Sequence, residues 1–312
     1  MIRIAVAWAL VAVHAAWLVV RLFGFELGYP LMPLLAYTPY VAVTALVAAV
    51  VALVLRVRKA ALIAAVVCAG LVALVAPRAL GGPTEAQGGA GEPLRVMTFN
   101  LERGGADAGA IAQLVERADV DVLSLQEVDA DALAELDAAL RGELPSRVTA
   151  LGEGTHGTAL YARGTIRPLD PAHGTLNDQA RALVAVPGAQ AVELMAVHPL
   201  APASAGRVDR WRADMRALPS ATPDAGVRVL AGDFNATLDH AELRRLIATG
   251  YVDAASVVGE GLRPSWPVGR LLPPVTIDHV LADRRCGIRG VAVHKLPGSD
   301  HRAVIAELQI PR

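Results

Sequence analysis

Val227-Arg-Val-Leu-Ala-Gly-Asp233-Phe-Asn235 is an apolar run that predicts a buried β-strand and stops abruptly at polar residues. Four other runs share this design and end at residue types that bind metal or move protons: Arg95–Asn100, Val120–Glu127, Val192–His198 and Val275–His279. A sixth segment reverses the order, with Gly298–His301 standing before the apolar run Ala303–Leu308. If these strands share sheets, their ends can gather one Asn, one Glu, two His and several Asp in a single cleft.

The first 77 residues are almost wholly apolar, whereas the remainder has the mixed composition of a soluble domain. Three uncharged stretches predict transmembrane helices at about residues 4–20, 33–55 and 60–76. Each is near the roughly 20 residues that cross about 30 Å of hydrocarbon at 1.5 Å per residue. We therefore expect a membrane region over residues 1–78, with the lipid bilayer as its partner.

The orientation of this region follows from the basic residues that flank the predicted spans, because Lys and Arg are retained on the cytoplasmic side. One side would carry Arg3, Arg56, Arg58 and Lys59, and the other only Arg21 and Arg78. A cytoplasmic N-terminus places the C-terminal domain outside the cytoplasm. The expected location is thus the cell membrane, as a multi-pass protein with an extracytoplasmic domain.

Residues 79–93 are rich in Gly and Pro and predict a flexible linker. Residues 94–312 then alternate strand-like runs with stretches of helical spacing. The predicted helices cover residues 107–118, 131–140, 207–218 and 239–248. This order predicts an α/β domain of mixed sheets covered by helices.

Five motifs, taken in this order, resemble those of the endonuclease/exonuclease/phosphatase superfamily, which includes DNase I-like nucleases, inositol polyphosphate phosphatases and sphingomyelinases. They are Phe99-Asn100, Leu125-Gln-Glu127, Gly232-Asp-Phe-Asn235, Ile277-Asp278-His279 and Ser299-Asp-His301. The resemblance covers about residues 94–310. It implies a four-layered α/β sandwich, with two packed mixed β-sheets flanked by helices. It also implies a Mg²⁺-dependent enzyme that hydrolyses phosphodiesters or phosphomonoesters.

The chemistry of such a reaction agrees with the residues. Hydrolysis of a phosphate ester needs a cation to neutralise the phosphoryl oxygens and a base to activate water. Mg²⁺ prefers hard oxygen ligands and keeps several waters, so a Glu and an Asn carbonyl suit it, with Mn²⁺ as an alternative. We predict Glu127 as the primary ligand, Asn100 beside it, and Asp300 binding directly or through water.

The resemblance further implies a catalytic set of five residues. His301 would pair with Asp278, which fixes the imidazole tautomer and raises the basicity of the other nitrogen. Asp233 would orient or deprotonate the attacking water, and Asn235 would donate its amide to a phosphoryl oxygen. His198 lies where DNase I-like members carry a second histidine, suited to transition-state contact or leaving-group protonation. Taken alone, an Asp or Asn after a strand is more often a turn former or helix cap.

Other polar residues carry weaker signals. Arg181 is a candidate phosphate contact and Trp266 a candidate substrate contact, against the alternatives of surface ion pairing and loop packing. Glu102 is a candidate for a water-mediated contact to the metal. Thr276 stands where many relatives have Arg, so any contact from that Arg is missing. We assign structural roles to four histidines: His156, His173, His279 and His294.

The charge balance bears on the substrate. The chain has 29 basic and 30 acidic residues; five of the basic and one of the acidic precede residue 78, which leaves 24 against 29. A domain that grips a polyanion usually carries net positive charge, so nucleic acid is the less favoured substrate.

These observations predict a membrane-anchored Mg²⁺-dependent phosphoesterase at the outer face of the cytoplasmic membrane. Its substrate would be a phosphate ester, with a lipid phosphate or pyrophosphate as the favoured form, since the layout is similar to that of glycopeptide-resistance-type membrane proteins. A membrane-anchored nuclease and a non-catalytic envelope scaffold are the alternatives.

Overall fold

The structure is a computed structural model that describes residues 1–151, 157–170 and 179–312. His156 and His173 lie outside the described residues. The N-terminal region consists of α1 (Ile2–Phe23), the short α2 (Leu31–Leu34), a 3₁₀ turn, α3 (Thr38–Val54) and α4 (Arg58–Val75). Three helical stretches are long and apolar enough to span a membrane: Ile2–Phe23, Leu31–Val54 and Arg58–Ala79. The predicted spans are therefore confirmed as possible membrane helices.

The surface of this helical region also suits a bilayer. Its internal contacts use small residues, with Ala45 and Ala52 of α3 and Ala60 of α4 fully or almost fully buried. Large apolar side chains point outward instead; Leu46 and Leu62 are 59% and 69% exposed. Small residues let membrane helices approach closely, while exposed leucines are favoured in hydrocarbon and costly in water.

The C-terminal domain contains two six-stranded mixed sheets. The first has the strand order β11-β12-β1-β2-β4-β3 and the second β5-β6-β7-β8-β10-β9. The first sheet consists of β1 (Glu92–Asn100), β2 (Val122–Val128), β3 (Ser146–Ala150), β4 (Gly157–Ala162), β11 (Gly287–Lys295) and β12 (Arg302–Ile310). The second consists of β5 (Ile166–Pro168), β6 (Arg181–Val184), β7 (Val192–Val197), β8 (Arg228–Asp233), β9 (Tyr251–Asp253) and β10 (Asp278–Asp283).

Helices cover the outer faces of both sheets, which confirms the predicted four-layered sandwich. Val96 and Val229 belong to the apolar core between the sheets. A second core lies under α5 (Ala108–Arg117) and α6 (Ala130–Leu140), and a third lies under α7 (Ala205–Ala217) and α8 (Ala241–Ala248). Asp107 and Asp129 cap α5 and α6 by accepting backbone N–H bonds from Ala110 and Ala132. A short helix, α9 (Ala254–Val257), follows β9.

Strand direction brings the polar residues to one edge. The pairs β1/β2 and β7/β8 are parallel, so their carboxyl ends meet there. The predicted strand ending at Asp278 is wrong in one respect, because Asp278 begins β10 rather than ending a strand. Since β10 runs antiparallel to β8, Asp278 still lies opposite Asp233 in register.

The segment predicted as a flexible linker packs along the domain. The backbone N–H of Thr84 donates to Ile288 O at 2.7 Å, and that of Gln87 to Arg285 O at 2.8 Å. Gly and Pro content indicates a chain without helix or strand periodicity, but such a chain can still satisfy its backbone groups on a neighbouring strand edge. The structure therefore differs from a free tether, while the boundaries 1–78, 79–93 and 94–312 remain predictions.

A buried cluster joins the membrane region to the domain; we call Arg21, Arg78 and Asp239 the Asp239 cluster. Arg21 Nε lies 2.6 Å from Asp239 Oδ1, and two nitrogens of Arg78 lie 2.6 and 2.7 Å from the two oxygens. Burial alone would raise the pKa of Asp239, but the two guanidinium groups hold it below its ordinary value. The last turn of α1 and the end of the helical region are thus fixed to one carboxylate of the domain.

Candidate active site

Asn100 and Glu127 occupy the ends of adjacent parallel strands. Asn100 is fully buried, and its Nδ2 lies 3.1 Å from both Glu127 Oε1 and Asp233 Oδ2. Its Oδ1 accepts the backbone N–H of Glu102 at 2.9 Å. Glu127 Oε2 in turn accepts the backbone N–H of Arg103 at 2.9 Å. Asn100 therefore links the two carboxylates and orients both.

His301 forms the second half of the site. Its Nδ1 lies 3.0 Å from Asp278 Oδ2, and its Nε2 lies 3.8 Å from both Asp233 Oδ2 and Asp300 Oδ1. Asp278 is buried behind the imidazole, so the other ring nitrogen points toward Asp233 and Asp300. This is the predicted His–Asp pairing, in which one carboxylate orients the ring so that the opposite nitrogen can contact phosphate or water.

The turn before His301 holds this pair in place. Gly298 has a φ of +84°, and a Cβ added there would lie 2.2 Å from the carbonyl oxygen of Gly105. Ser299 Oγ then donates to Asn100 O at 2.8 Å and accepts the backbone N–H of His301 at 3.0 Å. The Gly-Ser sequence before Asp300 and His301 thus ties this turn to the end of β1.

The end of β8 is shaped by a close strand contact. A Cβ on Gly232 would lie 1.9 Å from the carbonyl oxygen of Val197, so only glycine fits beside β7. Asn235 donates its backbone N–H to Asp233 Oδ1 at 2.8 Å and its side-chain amide to Pro199 O at 3.1 Å. One of the two amide hydrogens of Asn235 is thereby used, and the other is available to a ligand.

His198 follows β7 on the same edge of the sandwich. Its Nε2 lies 3.8 Å from Glu127 Oε1, and only 6% of the residue is exposed. The two predicted catalytic histidines therefore flank the carboxylates, with His198 near Glu127 and His301 near Asp233.

A polar network surrounds Asp300. Its Oδ2 accepts from Trp266 Nε1 at 3.0 Å and lies 2.8 Å from Arg270 Nε. Glu102 accepts the backbone N–H of Asp300 at 2.7 Å and pairs with Arg270 at 2.8 Å. Glu102, a candidate for water-mediated metal contact, thus holds Asp300 directly.

Four residues of the site have left-handed backbone, which non-glycine residues rarely adopt. They are Glu102 (φ 47°), Arg103 (φ 60°), Glu127 (φ 57°) and Asn235 (φ 49°). Such conformations cost free energy and persist where the surrounding structure enforces them, often at functional sites. Here they aim the Glu127 carboxylate and the Asn235 amide at the same space.

Asp233 and His301, at the centre of the site, have pKa values that are shifted for different physical reasons. Burial raises the pKa of Asp233 above its ordinary value and Asp278 adds to this, although His301 and hydrogen bonds from Asn235 and Asn100 oppose it. For His301, burial alone would lower the pKa, but the carboxylates of Asp278, Asp233 and Asp300 raise it.

These side chains face a cavity of about 830 Å³. Four carboxylates line it, but only two arginines: the acids are Glu102, Glu127, Asp233 and Asp300, and the bases Arg103 and Arg270. A phosphate group would meet net negative charge here without a bound cation. Carboxylate oxygens are ligands that Mg²⁺ accepts, so the acids present fit a divalent metal. The predicted ligand Asn100 turns its Nδ2 donor toward Glu127 and Asp233, so its amide would have to reorient to offer Oδ1 to the metal.

Ligand-type atoms of Asp233, Asp278 and His301 also lie within 4.8 Å of one another, a spacing that suits a metal. Both oxygens of Asp278, however, lie within 3.2 Å of His301 Nδ1 and are engaged by it. The carboxylate of Glu127 faces the cavity and, among the residues that the structure describes, has no such cationic partner at hydrogen-bond distance. The Glu127 side of the site therefore offers the better place for a cation.

Part of the cavity wall comes from the membrane region. We call residues 24–37, between α1 and α3, the connector. Its Tyr29, Pro30, Pro33 and Leu34 line the cavity, together with Ala36 and Tyr37. This wall is apolar, in contrast to the carboxylate side.

The eight polar residues predicted for catalysis and metal binding are brought together, and Trp266 lines the same cavity. Arg181 does not lie with them. It is on β6, where its guanidinium pairs with Glu193 of β7 at 2.5 Å. His279 is buried, with Nδ1 3.0 Å from Asp253 and Nε2 2.9 Å from Ala236 O, which agrees with its structural assignment. His294 lies on β11, outside the cavity lining.

Sequence reasoning missed Arg103, Arg270 and the connector. Arg103 had a usable signal, since it follows Asn100 closely and precedes Gly104-Gly105, a pattern that bends a loop over a strand end. Arg270 lies in an irregular loop, and the connector has the sequence of an ordinary short link between spans. Neither gave a sequence signal for the site.

Comparison with known proteins agrees with the geometry. A sequence profile of the Endonuclease/Exonuclease/phosphatase family matches residues 97–301, which is more than half of the chain. No curated protein sequence matches the chain.

Solved structures share the fold. An endonuclease/exonuclease/phosphatase from Beutenbergia cavernae DSM 12333 is 23% identical and has a TM-score of 0.54, covering 70% of this chain and 72% of that one. Truncated Caenorhabditis elegans TDP2 is 18% identical (TM-score 0.57; 70% and 98% covered). An AP endonuclease from Archaeoglobus fulgidus is 14% identical (TM-score 0.55; 68% and 98% covered).

Proposed function

The chain belongs to the endonuclease/exonuclease/phosphatase family, and from this membership we propose that it is a Mg²⁺-dependent phosphoesterase that acts on a lipid-linked phosphate at the outer face of the cytoplasmic membrane. Metal-dependent hydrolysis of a phosphate ester is the reaction class of the family. The metal, the substrate and the location are the proposed part.

One observation carries the proposal. The same cavity is lined by residues of the catalytic and metal-binding set and by the connector of the first two possible membrane helices. A phosphate that enters it lies beside the end of the membrane region. A lipid headgroup is concentrated at that height of a bilayer, whereas a soluble substrate is not.

The residues divide the chemistry among them. Glu127, Asn100 and Asp300 would hold Mg²⁺, which supplies positive charge to the phosphoryl oxygens when bound. Asp233 orients the attacking water and accepts its proton, since Asn100 and Asn235 fix its two oxygens. His301, held by Asp278, contacts the phosphoryl group through Nε2. His198, on the other flank, donates to the leaving oxygen.

Charge at the two ends of the helices supports the orientation. Arg21 and Arg78, at the domain end, share one counter-charge, Asp239, so this cluster keeps one net positive charge. Arg3, Arg56, Arg58 and Lys59 lie at the opposite end and have no ion pair within the described residues. Most of the uncompensated positive charge is therefore at the end away from the domain, as the positive-inside rule favours for an extracytoplasmic domain.

A nuclease is less well supported. Acidic residues outnumber arginines in the cavity lining, and the connector supplies apolar lining, whereas a nucleic acid needs a basic groove.

The test is a substrate panel with the full-length protein in detergent micelles. The panel holds long-chain lipid phosphates and pyrophosphates, soluble phosphate esters and plasmid DNA, each with Mg²⁺ or with EDTA. We expect Mg²⁺-dependent phosphate release from lipids, reduced about 10²- to 10⁴-fold by Asp233→Asn. Nicking of plasmid alone would favour the nuclease, and no Asp233-dependent cleavage of any member would refute the proposal.

A further inference from the structure

The connector is built into the domain and does not simply link two helices. Met32 has no exposed surface and packs in the core beneath α7 and α8, beside Trp211 and Phe234. Ala36 and Tyr37 belong to a second apolar cluster, with Val275, Ile277 and Trp266, and all five line the cavity. The connector is therefore anchored in two separate apolar clusters of the domain.

Polar contacts fix the two ends of the connector as well. Near its start, Glu26 accepts the backbone N–H of Ala241 at 2.6 Å, at the beginning of α8. Just past its end, the Tyr40 hydroxyl donates to Pro274 O at 2.7 Å. The Asp239 cluster holds α1, from which the connector emerges. These contacts hold the wall in a fixed position over the site.

The face that the connector turns to the cavity is apolar and open. Tyr29 and Leu34 line the cavity while 51% and 40% exposed, and Pro30 and Pro33 lie between them. Ala201, Pro202 and Ala203 also line the cavity, so apolar groups continue into the domain. Exposed apolar groups that adjoin a polar site indicate a ligand that has both a polar and an apolar part.

We propose that this face of the connector is a binding subsite for the hydrocarbon chain of the substrate, in the part that directly follows the phosphate. The inference rests on the proposed function and names its specificity element. The membrane region thereby acts as part of the active site as well as an anchor.

Continuity with the bilayer favours a hydrocarbon chain over other apolar occupants. The connector joins α1 to α3, so its apolar face continues along helices whose outward side chains suit hydrocarbon. A lipid can place its phosphate beside Glu127 and Asp233, its first carbons against Leu34, and the rest of its chain along the bilayer. A water-soluble ester fills only the polar part of the same cavity.

Two exposed leucines of the connector provide a matched test. Leu34 lines the cavity, whereas Leu27, which is 61% exposed, does not. Both are replaced by Ser in the full-length protein. The probes are ethyl and dodecyl esters of phosphate, of methyl phosphate and of pyrophosphate, presented in mixed micelles with Mg²⁺. Within each pair the reacting group is the same and only the chain differs.

The wild type should prefer the dodecyl over the ethyl probe in kcat/KM. Leu34→Ser should reduce that preference by roughly tenfold or more, mainly through a higher KM for the dodecyl probe. Leu27→Ser should behave like the wild type. Equal chain preference in Leu34→Ser and the wild type would overturn the subsite, as would an equal loss in Leu27→Ser. Absence of Asp233-dependent cleavage of every probe would instead refute the proposed function itself.

Discussion

Arg78 and Asp239 form a doubly hydrogen-bonded ion pair in which two guanidinium nitrogens lie 2.6 and 2.7 Å from the two carboxylate oxygens. Arg78 ends the helical region and Asp239 lies four residues after Asn235 of the site. Paired charges that are this deeply buried define a unique arrangement, because any other leaves a charge without a partner.

The first prediction concerns Asp239→Asn, which leaves Arg21 and Arg78 buried without a counter-charge. We expect a loss of about 3 to 5 kcal/mol in the free energy of unfolding, measured by thermal or denaturant unfolding in detergent. Asp119→Asn is the matched control, because Asp119 also pairs with two arginines, Arg95 and Arg163, but is 67% exposed. Its loss should stay below about 1 kcal/mol. Equal effects of the two changes would contradict the role of the cluster.

Two His–Asp pairs of the same geometry separate catalysis from stability. His301 and Asp278 lie 3.0 Å apart at the cavity, and His279 and Asp253 lie 3.0 Å apart in the interior. Asp278→Asn should reduce kcat by about 10²- to 10⁴-fold with little change in Tm. Asp253→Asn should lower Tm, while kcat per folded molecule stays close to that of the wild type. The reverse pattern would show that His279, and not His301, is the catalytic histidine.

The metal prediction concerns Glu127→Gln, which removes the charge of the proposed primary ligand and keeps its size. The Mg²⁺ concentration for half-maximal activity should rise at least about tenfold, measured by titration after EDTA treatment. Glu135→Gln, on the exposed surface of α6, should leave the titration unchanged. An unaltered Mg²⁺ dependence in Glu127→Gln would place the metal elsewhere.

A pH effect on stability is expected from His240, which is 1% exposed. Burial lowers the pKa of His240 to about 4 from an ordinary value of 6.5. The unfolded chain therefore binds a proton that the folded protein does not, and stability falls as the pH decreases from about 6.5 to about 4. The contribution reaches about 3 kcal/mol at the lower end.

The variant His240→Asn isolates this effect. His240 Nδ1 accepts the backbone N–H of Thr237 at 2.9 Å, and the Asn oxygen can replace that acceptor without titrating. Unfolding free energies measured between pH 7 and pH 4 should decline less steeply in the variant. Parallel pH profiles for the two proteins would contradict a neutral, buried His240.

Much of the domain is predictable from its sequence because each strand of the site is a short apolar run with a polar end. Asn100, Glu127 and Asp233 are recognisable in this way, and helical spacing predicts α5 to α8 to within about two residues. The strands β5 and β9 give no such signal because each has only three residues, and β3 gives none because its burial is nearly uniform along the strand.

The connector marks the limit of sequence reasoning. Met32, Leu34 and Tyr37 look like residues of a membrane segment, and nothing local indicates that Met32 packs beside Trp211, nearly 180 positions away. Likewise, the Gly-rich composition of residues 79–93 predicts a flexible backbone. It gives no sign of the hydrogen bonds that Thr84 and Gln87 make with the domain. Both features depend on tertiary contacts, which override local propensity.

The most direct test of the central claim uses the full-length protein reconstituted in vesicles that contain dodecyl phosphate, dodecyl methyl phosphate or dodecyl pyrophosphate. The measured quantity is product release with Mg²⁺ for the wild type and for Asp233→Asn. The account predicts Mg²⁺-dependent release from at least one of these lipids, reduced about 10²- to 10⁴-fold in the variant. Equal release by the two proteins, or none by the wild type, would contradict it.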